Sequence, residues 1–141
     1  MSPQSLDRGV LQQASLAVDT PLGDVVDRIT ILEIKLARIE DETKKTHIRH
    51  ELALLNDILS ESIRITEQYI ELKKSLRAAN ETMWDIQDAL RAHKAAENFG
   101  QEFIELGRTV YQANDTRVAI KRAINELYGS AMVEEKLYAS Y

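Results

Sequence analysis

The chain has 141 residues, 44% hydrophobic and 29% charged, ordinary values for one soluble domain large enough to bury its own core. It contains no Cys, which excludes disulfides, thiolate nucleophiles and Cys-ligated metals, and its formal net charge of −5 argues against a nucleic-acid footprint across the domain. No run approaches the roughly 18 apolar residues of a membrane span, and residues 1–19 lack a basic start followed by an apolar stretch, so no signal peptide is expected and residence in the cytoplasm is.

Residues 1–19 are weakly periodic and read as a flexible N-terminal tail ahead of a single all-helical domain, 20–141. Thr20 is placed to cap the first helix and Pro21 to occupy its first position, with Asp24 in the first turn suiting the helix dipole. Leu22, Val25, Ile29, Leu32, Leu36 and Ile39 then follow a 3,4 spacing that puts them on one face of a helix ending near Glu40. The polar break Asp41-Glu42-Thr43 predicts a turn, and Ile48, Leu52, Leu55 and Leu59 predict a second helix to about Ser60, antiparallel to the first.

The longest seam is Ile65, Tyr69, Leu72, Leu76, Ala79, Met83, Ile86 and Leu90, in a helix expected over 62–97. Such a helix is about 50 Å long, against a radius of gyration of roughly 14 Å for a compact chain of this size. Either it protrudes or a second copy packs along it. Tyr69, Leu72, Leu76, Met83, Trp84 and Ile86 are therefore the candidate interface of a homodimer. Trp84 reads first as packing and second as a stacking platform for a ligand, while Asp88 and Arg91 form a local pair.

A break at Asn98 to Gly100 precedes a helix over 101–113, with Phe103, Leu106, Val110 and Ala113 on one face and Phe99 in line with it. Gly107 beside that face suits a close helix approach. Asn114-Asp115 is expected to turn the chain and cap a further helix, 116–128, closed by Gly129 in the left-handed region, with a last helical piece over 131–138. The fold expected is all-α: a bundle built on an antiparallel hairpin and a long third helix, with a C-terminal helical hairpin.

Arg117, Lys121 and Asn125 sit at i, i+4 and i+8, a slowly drifting polar stripe beside the apolar face of Ile120, Ile124 and Leu127. Arg108 and Tyr111 flank the apolar face of the preceding helix. With Asn114 and Asp115 these residues form a candidate site for a phosphate or carboxylate, since basic forks and an amide at a core edge grip such anions. The structural alternative is that the cations pair with carboxylates across helices. His47 and His50 lack a third ligand, and Glu102, Glu105 and Asp115 lack inward partners, so no metal and no cofactor are expected. The basic stretch 44–50 has no aromatic interleaving, and neither nucleic acid nor membrane is an expected partner. The Asn80 and Asn114 sequons carry no weight without a secretion signal.

The stretch Asp27-Arg28-Ile29-Thr30-Ile31-Leu32-Glu33-Ile34-Lys35 resembles the opening of an uncharacterised bacterial family, a domain of unknown function. Residues 80–91 and 103–138 resemble it too, on Arg108, Tyr111, Asn114, Asp115, Arg117, Lys121, Asn125, Glu135, Lys136 and Tyr138. The resemblance covers about residues 20–141 and implies no activity beyond a distant link to proteins handling surface polysaccharide and nucleotide sugars. Gln87 stands where the family suggests an acid, and Gly107 where it suggests Ala. A looser likeness to helical chorismate mutases is one of fold only. Two functional readings follow: a self-associating accessory protein, with or without a separate protein partner, or a protein binding an anionic small molecule through its C-terminal hairpin, catalytic or not.

Overall fold

A computed structural model describes residues 14–129 of the chain. Four helices make up the fold: α1 (Leu22–Arg38), α2 (Glu42–Ser62), α3 (Glu67–Ala95) and α4 (Gln101–Leu127). Among the described residues there is no strand. The long helices α3 and α4 run antiparallel, with Tyr69 beside Tyr128 at one end and His93 beside Phe103 at the other. Helix α1 packs against all three other helices, and α2 packs on α1.

This central position explains why α1 is buried on more than one side. Its apolar seam meets the core at Ile29, with Leu22 and Val25 beside it, but Gly23, Val26, Asp27, Thr30 and Ile34, off that seam, are buried too. Val26, Ile29, Leu59, Tyr69, Leu76 and Ile124 form the core, flanked by Leu52 and Leu55 of α2 and Leu72 of α3. Each fully buried aliphatic side chain here stabilises the fold by about 2 kcal/mol. Tyr69 and Leu76 are thus internal, at 3% and 0% exposure, and Leu72 packs against them. Tyr69 and Leu76, read from the sequence as interface residues, thus pack within the chain, while Leu72 is only partly buried.

The turns follow local chemistry. The Asp41 side chain accepts from the Lys44 N–H at 3.1 Å and caps α2, and Thr66 caps α3 by accepting from the Tyr69 N–H at 3.1 Å. The link Ile63 to Thr66 therefore starts α3 later than the pattern at 62 suggested. α3 ends in a Schellman turn: the Asn98 N–H donates to the His93 carbonyl at 2.9 Å and the Glu97 N–H to that of Lys94 at 3.1 Å. This puts Glu97 at φ 54°, a left-handed conformation that favours Gly. Gly129, at φ +63°, takes the same region without strain.

Three local expectations are corrected. Pro21, not Thr20, is the N-cap of α1, and the Thr20 hydroxyl donates to the Val18 carbonyl at 3.4 Å. Asn114 and Asp115 make no turn, because 101–127 is one continuous helix. Their cap preference is a weak local bias, overridden here by packing along the whole of α3. Gly107 meets no close helix: nothing among the described residues lies within 4 Å of where its Cβ would be. The helical piece expected over 131–138 lies outside the described residues.

The close approach is at Gly23 instead. A Cβ there would collide with the backbone carbonyl of Lys121 on α4. Backbone cannot swing aside as a side-chain end does. Gly23→Ala is therefore expected to lower unfolding free energy by about 2–3 kcal/mol in denaturant titration, although Ala is the better helix former. Unchanged or raised stability would show that α1 does not sit against α4 at this position.

Candidate functional site

The C-terminal stripe is built where the first turn of α1 meets α4. The free N–H of Gly23 donates to Asn125 Oδ1 at 2.6 Å, so a side chain from α4 caps α1. Lys121 Nζ lies 2.7 Å from Asp24 Oδ1. Arg117 grips Asp27 with both arms of its fork, Nε to Oδ1 at 3.0 Å and Nη2 to Oδ2 at 2.8 Å. Arg117 Nη1 also donates to Asn114 Oδ1 at 3.2 Å, one turn earlier on α4.

Helix α3 completes the arrangement. Asn80 Nδ2 donates to Asp27 Oδ1 and to Thr30 Oγ1, both at 2.9 Å, and the Thr30 hydroxyl donates to the Asp27 carbonyl at 2.8 Å. Asp27, Thr30, Asn80, Lys121 and Asn125 are all buried. Burial pushes the Asp27 carboxyl up, but hydrogen bonds from Arg117 and Asn80 and the charges of Arg117 and Lys121 outweigh it. The carboxyl is held below the usual carboxylate range, so Asp27 is ionised at neutral pH.

Of the residues read from the sequence as one anion site, Arg117, Lys121, Asn125 and Asn114 come together, engaged with α1 or with each other. Arg108 does not join them. On a continuous helix, nine residues is about two and a half turns, which leaves Arg108 on the side of α4 away from Arg117. Arg108 and Tyr111 are exposed, whereas Asp115 is half-buried. The expected convergence depended on the turn at Asn114-Asp115, which is absent. The arrangement is suited to joining helices: its charges balance across α1 and α4. Sequence reading missed Asp27, Thr30 and Asn80 as partners. Their signal was the Asp-x-x-Thr spacing on α1, which sets a carboxylate and a hydroxyl on one face.

The remaining candidates are scattered. Trp84 is half-buried, with the Arg38 guanidinium 5.7 Å from its ring centroid and Arg38 bonded to Asp85 at 2.7 Å. Met83 and Ile86 are half-buried farther out on α3. His93 lies at the end of α3, its Nδ1 3.2 Å from the Asn98 carbonyl. Among the described residues no three His, Asp or Glu cluster as metal ligands. Among the described residues no helix is long and apolar enough to cross a membrane.

Residues 16–141 match the model of a family of unknown function, DUF6165, and the chain belongs to that family. A search of curated proteins and of solved structures finds no significant match.

The Asp27 geometry sets a pH dependence. A carboxyl lowered from an unfolded value of about 3.9 stabilises the fold fully above that value, and the contribution fades as pH falls through the folded value. Stability should therefore drop as the medium is acidified below about pH 4. Arg117→Ala is expected to cost about 3 kcal/mol at neutral pH, because it strands a buried carboxylate, and to flatten the acid limb. Denaturant titrations at neutral and acidic pH check both. A variant as stable as the parent would show that the pair does not hold α1.

Proposed function

We propose that this chain is a helical interaction protein that associates with itself through the outer half of the α3–α4 hairpin and serves as an accessory subunit. One observation carries the reading: not one of residues 81–120 is buried. Yet this stretch holds the apolar seam Met83, Ile86 and Leu90 on α3 and Phe103, Leu106, Val110 and Ala113 on α4. The core stops at Ala79 and Ile120, and α1 ends at Arg38, which bonds to Asp85 near the start of the arm.

A two-helix arm cannot close its own core. Each helix covers one side of the other, and a second pair of helices is needed to complete a four-helix layer. The same arm of a second copy has the matching length and seam. Its charges are of both signs, Asp85 and Asp88 followed by Arg91 and Lys94 on α3 and Glu102 and Glu105 followed by Arg108 on α4, which allows a patch to face its own copy. Gly107 leaves open space on this arm for a close approach.

Sedimentation equilibrium at micromolar concentration is expected to return about twice the 16.0 kDa mass of the chain. Leu106→Glu should keep its helical circular dichroism and weaken association at least about thirtyfold. Leu76→Asp, at a buried core position, should unfold the chain instead. A parent that stays monomeric at tens of micromolar overturns the reading.

A further inference from the structure

A cleft of about 520 Å³ lies between α2 and α3, with Glu33 of α1 on its wall. Its lining is asymmetric in charge. Lys73, Lys74 and Arg77 of α3 face the single carboxylate of Glu33. Lys73 Nζ is 3.1 Å from Glu33 Oε2 and Arg77 Nη1 3.5 Å from Glu33 Oε1, so two cations share one acid. Outside the lining, Glu81 meets Arg77 at 3.1 Å, and Glu71 lies 4.0 Å from Lys74, both members of that pair being largely exposed.

Tyr69 lines the same cleft at 3% exposure, and its buried hydroxyl has no hydrogen-bond partner. A buried donor left unmade costs about 1–3 kcal/mol, and so needs a reason. Burial pushes the phenol up to about 12, with Tyr128 and Glu33 adding to the effect, so the group stays a proton donor at any physiological pH. Leu59, Ile65 and Ile70 supply apolar wall beside it. A cavity of this size, mostly apolar with a few convergent polar groups, has the make-up of a small-molecule site.

We propose that this cleft binds a small organic anion, a carboxylate or phosphate carried on an apolar body, with Lys73 and Arg77 meeting the charge and the Tyr69 hydroxyl donating to one of its oxygens. The site is separate from the α1–α4 contact and from the arm, so it stands or falls apart from self-association.

The test is calorimetric titration of the full chain with phenyl phosphate, cyclohexanecarboxylate and inorganic phosphate. One of the two organic anions is expected to bind about tenfold more tightly than inorganic phosphate, through the apolar wall, and to weaken with added salt. Which of the two binds names the headgroup. Tyr69→Phe should weaken that binding by about tenfold while the free protein keeps or gains stability, since it removes an unsatisfied donor. Lys73→Met should weaken binding further, and circular dichroism confirms that each variant is folded. No binding of either organic anion at millimolar concentration, or equal binding by parent and Tyr69→Phe, overturns the assignment.

Discussion

The first turn of α1 pressed against α4 is the contact on which the rest of the structure depends. Three things meet there: a backbone so close that only Gly fits, a first-turn N–H capped by Asn125, and the paired charges Asp24–Lys121 and Asp27–Arg117. None of these is interchangeable with greasy packing. Apolar seams slide past one another at modest cost, but a buried carboxylate bonded to both Arg117 and Asn80 has one position in which it is satisfied. Asp27 therefore sets the register of α1 against α3 and α4 at once. The core of Val26, Ile29, Leu76 and Ile124 supplies most of the stabilisation, and the polar contacts select which packing is used.

The molecule consequently has two unlike ends. Where α1 lies on the hairpin, side chains are buried and the polar groups of Asp27, Thr30, Asn80 and Asn125 are matched. Beyond the contacts of Arg38 with Trp84 and Asp85, the outer parts of α3 and α4 continue with no residue buried among those described, from 81 to 120. The cleft between α2 and α3 is a feature of the buried end, where neighbouring helices hold its walls.

Much of this was legible in the residues. The 3,4 spacing located α1, α2 and α3, the Asp41 break located the first turn, and Gly129 took the left-handed position read for it. What failed, failed for tertiary reasons. Asn114 and Asp115 look like a turn because their side chains compete with the backbone, yet here they lie inside α4, and Asn114 accepts from Arg117. Thr20 looks like a cap, but the capping oxygen comes from Asn125, far away in sequence. Tyr69 and Leu76 carry the same seam signature as Ile86, and no local pattern says that the base of a seam is covered within the chain while its outer part is not. The stripe Arg117, Lys121 and Asn125, read from the sequence as a candidate anion site, meets the first turns of α1 along its length. That its partners would be Asp24, Asp27 and the Gly23 amide was beyond any reading of one helix at a time.

The claim that Asp27 and Arg117 act as one unit in placing α1 is tested most directly by a double-mutant cycle. Asp27→Asn, Arg117→Met and the double variant would be compared with the parent by denaturant titration at neutral pH. The account predicts strong coupling, about 2 kcal/mol or more, with the double variant losing far less than the sum of the single losses. Additivity within about 0.5 kcal/mol would contradict it and leave the apolar core alone to position α1.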